Sequence, residues 1–554
     1  MSISPWPCAS PLAGRASGLR SPGMRIVALS LLLACLAAAD PDAWAAKLAP
    51  PDAGWKRVTQ EISYNCEGEP QTLDPGLITG AAESRLVSAL FEGLTTPDPQ
   101  TLAARPGMAA AWEVSADACT YTFHLRPGLV WSDGTALTAD DLVRSWRRVL
   151  EPATGSEYAN LLFLIRGGED FQRGKLSWDQ VGVVAPDATT LVVRLHRPCP
   201  WFLELTSFPT LMPVPTALVA KHGPDWVRAG KLIGNGPFRL AAWEPRSRVV
   251  LERNPRWHGA ARVRLERLTG VPCDDPETAW RLYQQGAIHW TPAVPVGRTD
   301  EAQRHPDYYL GPMLGTYYYR FNVTRQPFDD VRVRQAFCHA TDRAAIVRHV
   351  TRAGELPATG FVPPMPGHDA APGLAYDPAA ARRLLTEAGY GPQRPLPRID
   401  LLYNTSANHK AIAEAAAAQW RRVLGADVRT RNMEFKSYLG ALSRLDYTMA
   451  RSSWIGDYND PNTFLDIFRT DDGNNRTGWS DPAYDQLLDQ SQAETDPLRR
   501  RTLLTRLERI LVQDGCPVIP VYTYVSKGLI SERLRGWYPN ARDLHPFQYF
   551  WLAP

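Results

Sequence analysis

The sequence has little net charge and few apolar runs. Its 554 residues carry a formal net charge of only +3, from 61 Lys and Arg against 58 Asp and Glu. Phosphate binding needs a basic face, so this balance argues against a nucleic-acid partner. One long apolar run, residues 26–39, is too short to span a membrane. A charged fraction of 21% beside a hydrophobic fraction of 44% excludes gross disorder and predicts a buried core.

Local motifs of catalysis and metal binding are also missing. The sequence contains no G-x-S-x-G, H-E-x-x-H, G-x-x-x-x-G-K-[ST] or G-x-G-x-x-G motif. It contains no C-x-x-C motif or His-rich cluster that would suggest a metal site. Asp457 and Asp460 could be imagined as glycosidase carboxylates, but an Asp before Pro461 is better explained by turn formation. We expect a protein that is not an enzyme and that needs no metal or cofactor.

Cysteine is scarce and scattered. The sequence has 8 Cys, two of which, Cys8 and Cys35, lie near its start. The other six are Cys66, Cys119, Cys199, Cys273, Cys338 and Cys516. An exported compartment permits disulfides, but the sequence cannot choose among the many possible pairings.

An export leader begins the chain. Arg25 precedes the apolar run at residues 26–39, and the motif AWAA at residues 43–46 offers a small-x-small cleavage site after Ala45. The motif LLAC, which ends at Cys35, offers a lipoprotein box as the alternative. Both routes lead to export, so a periplasmic protein is expected.

The first residues of this leader have no structural pattern. Residues 1–23 precede Met24, which is an alternative start of translation. With cleavage after Ala45, residues 1–45 are leader. With lipidation, Cys35 anchors the protein to a membrane.

Two passages have α/β patterns. In the first, residues 119–134 alternate like a strand and turn at Asp133-Gly134. Thr138, with Asp141 three residues later, predicts a capping box that opens a helix.

The second passage predicts a βαβ unit. A strand over about residues 399–403 leads into a helix that ends at Gly425, and another strand follows. The apolar positions of this helix are Ile412, Ala416, Trp420 and Leu424.

The loop after the first strand of this unit is a candidate ligand site. Asn404, Thr405 and Ser406 follow the carboxyl end of a strand and precede a helix, which is where ligands bind in α/β sheets. Helix capping by Thr405 or Ser406 is the alternative interpretation. Further along the chain, a Pro- and Gly-rich stretch at residues 359–374 predicts a surface or lid loop rather than a free linker.

Aromatic residues are plentiful, with 18 Trp and 20 Tyr, and such rings favour clefts that are apolar yet hydrogen-bonding. The stretch RSSWIGDYNDPNTFLDIF, residues 451–468, combines Trp454 and Tyr458 with Asp457. A core segment does not usually carry an acid inside such a cluster, so we expect Asp457 to hold a ligand.

Nine stretches in order along the chain resemble one family. They are EPQTLDP (69–75), LFEGL (90–94), WSDGTALTADDLVRSW (131–146), GNGPFRL (234–240), LERNPRW (251–257), YYYRFNVTRQPFDDVRVRQAF (317–337), YNTSANHK (403–410), WIGDYNDPNTFL (454–465) and PVYTYV (520–525). Together they resemble the exported oligopeptide-binding proteins of ABC importers, the extracellular solute-binding proteins of family 5.

The resemblance implies an α/β fold of the two-lobed periplasmic-binding-protein type (type II, the large cluster with an extra domain), in which discontinuous domains are joined by a hinge. The implied segments are lobe I at 46–91, 217–314 and 526–554, an extra domain at 92–216, and lobe II at 315–525. The chain would cross the hinge near Leu314 and Val525.

The resemblance also implies a function: capture of short peptides with a free N-terminus in a closing cleft, and delivery to the permease of an ABC importer. The protein would act as a monomer. Main-chain hydrogen bonds would supply affinity that is indifferent to side chains, and wet, roomy pockets would accept varied side chains.

The family's site residues match several positions. Asp457 matches the aspartate that binds the peptide's α-amino group, since an ammonium removed from water needs an anion. Trp454 would wall the first pocket. Arg451 and His409 resemble positions near the far end of the peptide, where a carboxylate is met. We rank Arg451 above His409, because the dipole of a helix N-terminus disfavours a charged imidazole. Tyr158 matches a tyrosine that contacts ligand from the extra domain.

Further aromatic candidates are Tyr317 and Tyr524, for which a structural role is the favoured interpretation. Two departures from the family pattern stand out. Gly315 and Ile455 occupy the positions that a disulfide links in the best-studied members. Thr79 replaces an acidic residue of the family.

Two other hypotheses stay open. The same fold could receive a non-peptide ligand, such as a metal chelate, haem, an antibiotic or an oligosaccharide. Alternatively, the cleft could hold unfolded segments, as in an envelope chaperone. Asp457 discriminates among them, because only a ligand with an ammonium group needs the anion.

Overall fold

The structure is a computed structural model that describes residues 54–358, 360–365 and 368–554. The cleavage site after Ala45 and Cys35 both lie outside the described residues. Across the described ranges, every helix is too short or too polar to cross a bilayer.

The described chain contains both strands and helices, in a mixed order. The strands are β1 (Glu61–Asn65), β2 (Thr95–Pro97), β3 (Ala104–Pro106), β4 (Ala109–Val114), β5 (Thr120–Leu125), β6 (Val183–Asp187), β7 (Thr190–Arg194), β8 (Phe238–Glu244), β9 (Arg248–Arg253), β10 (Arg267–Val271), β11 (Trp290–Thr291), β12 (Tyr308–Phe321), β13 (Leu356–Pro357), β14 (Ile399–Asn404), β15 (Val428–Met433), β16 (Met449–Ile455), β17 (Val518–Ile530), β18 (Leu534–Arg535) and β19 (Trp551–Leu552). The α-helices are α1 (Ala81–Leu90), α2 (Ala139–Leu150), α3 (Gly168–Gln172), α4 (Phe202–Leu205), α5 (Thr216–His222), α6 (Pro276–Gln284), α7 (Thr299–Ala302), α8 (Val331–His339), α9 (Arg343–Ile346), α10 (Pro378–Glu387), α11 (Ala407–Leu424), α12 (Phe435–Ser443), α13 (Asn462–Leu465), α14 (Pro482–Ala493) and α15 (Pro497–Arg509).

One mixed sheet of eleven strands organises the fold. Its order is β15-β14-β16-β12-β17-β11-β1-β10-β9-β8, and β13 pairs with β17. Strands β1 and β14 each pair with two parallel neighbours, as expected for an α/β protein. A separate antiparallel sheet has the order β4-β5-β7-β6, and β2-β3 and β18-β19 form two small ladders.

Two long strands connect the two halves of the mixed sheet. Strands β12 and β17 run antiparallel beside each other, and their pairing shifts register between Pro312 and Thr316. The shift lies at Leu314, where the first hinge crossing is predicted. Val525, where the second crossing is predicted, pairs with Pro312, which is the last regularly paired residue of β12 before the shift. The domain boundaries given above stay a prediction.

The predicted βαβ unit is confirmed. Strands β14 and β15 pair in parallel, and α11 connects them. Ile412, Ala416 and Trp420 are buried, because their spacing places them on one face of the helix. Gly425 ends the helix with a φ of 68°, a left-handed conformation that favours glycine.

The predicted capping box is confirmed as well. Thr138 precedes α2, and its N–H donates to the Asp141 carboxylate at 2.8 Å. The strand before it, β5, buries alternate side chains, as the sequence pattern indicates.

The two halves of the mixed sheet have separate hydrophobic cores. One core contains Tyr64 and Leu268 from the β1 side and also Phe123 and Val193 from the four-stranded sheet. The four-stranded sheet therefore packs as part of that half. Other cores lie on the β14 side, and the largest of them surrounds Trp420.

The described residues of the stretch 359–374 form a loop, as predicted, but part of this loop lies in the core rather than on the surface. Phe361 is fully buried, and Val362 and Ala371 are nearly so. The buried Glu508 carboxylate of α15 accepts hydrogen bonds from the backbone N–H groups of all three. A single carboxylate satisfies the backbone of an irregular segment, which allows that segment to enter the core.

Candidate functional site

A cavity of about 250 Å³ lies just beyond the end of β16. Asp457 lines it, two residues after the strand ends. Tyr158 and Thr79 line the same cavity, and Arg542 reaches it from the C-terminal segment. Four segments that are remote in sequence therefore form one site.

The Asp457 carboxylate is half-buried and has no partner among the described residues. Its backbone N–H donates to the Thr463 hydroxyl at 3.1 Å, which fixes the loop. Burial raises the pKa of Asp457 to about 6, and Arg542 partly opposes this effect. A carboxylate that is costly to keep charged and that faces a cavity is suited to bind a cation.

Two charged residues, Arg542 on the cavity wall and Glu204 beside the Asp457 loop, have no sequence motif that would have predicted them. The Arg542 guanidinium lies near Asp457, Glu204 and Tyr158, and burial lowers its pKa. The Glu204 carboxylate accepts the Asn459 N–H at 3.0 Å. Burial raises the pKa of Glu204 to about 7.

These groups leave one negative charge in excess. When Asp457 and Glu204 are ionised, they contribute two negative charges against the single positive charge of Arg542. A ligand with one ammonium group would offset the excess charge of these three residues. Low local dielectric makes such neutrality favourable.

Two other residues, Tyr158 and Trp454, were predicted to lie near the amino group of a bound peptide, and the structure places them differently. Tyr158 lies on the cavity wall, with its ring 5.2 Å from that of Phe208, and burial together with Asp457 raises its pKa to about 12. Trp454 does not line this cavity and packs against a neighbouring core. Its role at the first pocket stays a prediction.

A second charged centre lies at the other end of β16. The Arg451 guanidinium donates to Asn404 Oδ1 at 3.2 Å and to the Tyr524 hydroxyl at 3.0 Å. It also stacks 4.8 Å from the ring centroid of Tyr317, which is fully buried. In the described part of the chain it has no carboxylate partner. The structure thus brings Arg451, Asn404, Tyr317 and Tyr524 together.

His409 joins this cluster as a neutral group. It lies in the first turn of α11, as predicted, with its ring 5.7 Å from that of Tyr317. Burial, followed by the charge of Arg451, lowers the pKa of His409 to about 4. A neutral imidazole cannot balance a carboxylate, which supports the ranking of Arg451 above His409.

Thr405 and Ser406 do not cap α11, so the capping interpretation is wrong. Ser406 occupies the N-cap position without a side-chain hydrogen bond to the helix. The Thr405 hydroxyl donates to the Met433 carbonyl at 3.2 Å and accepts from Asn432 at 3.0 Å. Thr405 is exposed at the edge of the Arg451 cluster.

Gly315 and Ile455 lie directly opposite each other on β12 and β16. A Cβ atom added to Gly315 would come within 2.5 Å of Ile455 Cδ1. The isoleucine side chain therefore occupies the space above the glycine, at the positions where the family resemblance implies a disulfide in other members.

The fold and the site define a class of protein. Two α/β halves joined by two long strands, with charged groups facing a cavity, are the architecture of a two-lobed solute-binding protein. The model of the bacterial extracellular solute-binding proteins, family 5 Middle, matches residues 103–476. The chain therefore belongs to this family.

Individual relatives agree with the assignment. The oligopeptide-binding protein OppA of Bacillus subtilis is 36% identical over 490 residues, which cover 86% of this chain and 89% of the relative. The structure of the murein tripeptide binding protein MppA of Escherichia coli matches with a TM-score of 0.78 at 35% identity, covering 90% of this chain and 99% of that one.

One solved relative carries a peptide. The structure of Haemophilus influenzae OppA in complex with RPPGFSPFR matches with a TM-score of 0.75 at 31% identity, over 90% of this chain and 99% of that one. The predicted two-lobed fold is confirmed by these similarities.

Proposed function

We propose that the protein captures short peptides by their free amino end and delivers them to the permease of an ABC importer. It returns its ligand intact and is not an enzyme. The names of its relatives support a peptide ligand, and one of them is described in complex with a peptide.

The observation that carries the proposal is a pair of charged side chains, Arg451 within β16 and Asp457 just after it. Among the described residues, neither forms an ion pair. Asp457 and Arg451 are six residues apart, which limits their Cα separation to about 20 Å. Extended peptides of about three to five residues have comparable lengths. We propose that Asp457 binds the ammonium group and that Arg451 meets the carboxylate directly or through water.

The remaining site residues take supporting roles in this proposal. Tyr158 contacts the ligand beside Asp457, and Trp454 contacts its first side chain. Asn404 and Tyr524 hold the Arg451 guanidinium through hydrogen bonds, and Tyr317 holds it by stacking. His409 and Thr405 border the carboxylate end.

We propose that the protein works in the periplasm, as the names of several relatives describe. The two routes from the leader, cleavage after Ala45 and lipidation of Cys35, remain alternatives. Mass spectrometry of the mature N-terminus distinguishes them.

The function is tested by native mass spectrometry of protein purified gently from its export compartment. We expect a mixture of short peptides that is absent from an Asp457→Ala variant. N-acetylated peptides should fail to bind, because acetylation removes the ammonium charge. A single non-peptide ligand, or peptides that bind regardless of Asp457 and of acetylation, would contradict the proposal.

A further inference from the structure

Two cysteines that are 178 residues apart in the sequence meet in the structure. The Cys516 thiol donates to the Val512 and Gln513 carbonyls at 3.4 and 3.2 Å. The Gln513 carbonyl also accepts a hydrogen bond from Gln335 of α8, three residues before Cys338. Cys338 Sγ lies 3.7 Å from the Val518 carbonyl oxygen, two residues after Cys516.

The helix α8 packs closely on the segment that carries Cys516. Gln335 Nε2 donates to the Gln513 carbonyl at 2.9 Å. Arg334 donates to the Gly515 carbonyl at 2.7 Å. Both bonds join residues within one turn before each cysteine, so they hold α8 against the segment that carries Cys516.

Two buried guanidinium groups lie beside the thiols. Arg343 donates to the Pro520 carbonyl at 2.6 Å, and Arg334 bonds to backbone carbonyls on both of its sides. Neither forms an ion pair with a carboxylate among the described residues. Arginines near a thiol favour the thiolate form, which is the reactive form in disulfide exchange.

We propose that Cys338 and Cys516 form an intramolecular disulfide in the exported protein. The disulfide ties α8 to the start of β17, one of the two strands that connect the halves of the mixed sheet. The disulfide fixes the start of β17 to the half of the mixed sheet that contains α8. It leaves the register shift near Leu314 free to bend.

The bond forms by thiol–disulfide exchange with an external disulfide, such as a protein disulfide oxidoreductase or oxidised glutathione. The Cys338 thiolate attacks one sulfur of the oxidant, and one thiolate of the oxidant leaves. The Cys516 thiol loses its proton and attacks the mixed disulfide at Cys338, which releases the second thiolate. The protein loses two protons and two electrons, and the oxidant is reduced to two thiols.

Burial restricts when this exchange occurs. Cys338 is 1% exposed and Cys516 is fully buried. The oxidant cannot reach them once the core has closed, so the bond forms late in folding, when α8 and its arginines already lie against the Cys516 segment and the core is still open. For the same reason the finished bond resists reductants unless the protein unfolds.

The proposal is tested on full-length protein secreted with its own leader. The purified protein is unfolded in guanidinium chloride with iodoacetamide and without reductant, and then digested and mapped by mass spectrometry. We expect one linked pair of peptides, carrying Cys338 and Cys516, and alkylated thiols at Cys66, Cys119, Cys199 and Cys273. After reduction all six should be alkylated.

Two variants sharpen the test. In Cys338→Ser, the Cys516 thiol should become alkylated without reductant, whereas the buried-cysteine control Cys66→Ser should keep the link. The Tm of the wild type should fall by about 5 °C when the protein is refolded under reducing conditions, and that of Cys338→Ser should not respond. Alkylation of Cys338 and Cys516 in the unreduced wild type, or a link to any other cysteine, would overturn the proposal.

Discussion

At the scale of single residues, two aspartates three positions apart have opposite surroundings. Asp460 forms a bidentate ion pair with Arg500 at 2.6 and 2.7 Å and accepts the Asn462 N–H, in accord with the turn predicted at this point. Asp457 has no such partner in the described structure. A paired carboxylate stabilises the fold, whereas an unpaired one in a cavity is available to a ligand.

The Asp457→Asn variant should lose peptide affinity by about 100-fold, because the ammonium group loses its anion. Its free energy of unfolding should not fall, because the Asp457 carboxylate forms no stabilising hydrogen bond or ion pair with the described residues of the ligand-free protein. Isothermal titration calorimetry and chemical denaturation measure the two quantities.

Asp460→Asn is the matched control for this variant. It should lower the free energy of unfolding by about 3 kcal/mol, because it leaves Arg500 buried without its partner, and should leave peptide affinity within a few-fold. Equal effects of the two substitutions on affinity would contradict the assignment of the ammonium site to Asp457.

Peptide affinity should fall as the pH drops below about 6. The pKa of Asp457 in the ligand-free protein is about 6, and the pKa of Glu204 is about 7. Tyr158 stays protonated in this range, Arg542 stays charged, and the peptide ammonium is charged throughout. Protonation of Asp457 competes with peptide, so Kd should rise about tenfold per pH unit below 6.

The stability of the ligand-free protein should respond to Asp457 with the opposite sign. Its folded pKa is raised above the ordinary value, so its contribution to stability grows as the pH falls from about 6 toward 4. Asp457→Asn should abolish the contribution of Asp457 to both dependences, whereas that of Glu204, centred near pH 7, should remain. Arg542→Gln should move the midpoint of the affinity curve to higher pH, because Arg542 lowers the pKa of Asp457. An affinity that is flat from pH 5 to 7 in the wild type would contradict this account.

At the scale of elements, helix α15 holds an irregular segment in the core. Glu508, near its C-terminal end, is fully buried and accepts three backbone N–H groups between 2.6 and 2.8 Å. It also bonds to His368 Nε2 at 2.8 Å. One side chain therefore replaces the hydrogen bonds that a strand or helix would have given this segment.

Glu508→Gln should lower the free energy of unfolding by about 3 kcal/mol, because an amide N–H₂ group would face backbone donors. Limited proteolysis should then cut near residues 360–371 before it cuts elsewhere. The control Glu414→Gln, on the exposed face of α11, should change the free energy of unfolding by less than about 0.5 kcal/mol. Unchanged protease resistance in Glu508→Gln would show that the segment is held by its apolar contacts alone.

At the scale of the whole molecule, the segment after the four-stranded sheet contacts the loop that carries Asp457. Trp201 stacks on Tyr458 with centroids 5.1 Å apart and an interplanar angle of 3°. Glu204 accepts the Asn459 N–H at 3.0 Å nearby. This contact joins the predicted extra domain to predicted lobe II, beside the ammonium site.

Trp201→Ala should weaken peptide binding by about tenfold, although Trp201 does not line the cavity. The substitution removes the stacking on Tyr458, which favours the arrangement in which the predicted extra domain contacts predicted lobe II. The effect should appear as a faster dissociation rate in stopped-flow measurements. Trp178→Ala, which removes an aromatic pair with Phe171 far from this contact, is the control. Equal dissociation rates in the two variants would contradict the coupling.

Local patterns predicted local structure well. The βαβ unit and the capping box at Thr138 were predicted because the periodicity of apolar residues and the Thr and Asp spacing act over a few residues. The burial of part of the loop at residues 359–374 was not predicted, because its Pro and Gly content is typical of a surface and the buried carboxylate that satisfies it lies more than 130 residues away.

The sequence by itself determined the family and the α/β class and singled out Asp457 as a candidate ligand residue, since these depend on contiguous motifs such as residues 454–465. Only the tertiary structure decided which remote charges join that aspartate. Arg542 lies near both Asp457 and Glu204 because the chain returns to this region from distant segments, and Cys338 lies beside the Cys516 segment because α8 packs on the start of β17. Such convergence depends on packing between distant segments, and no local spacing of residues encodes it.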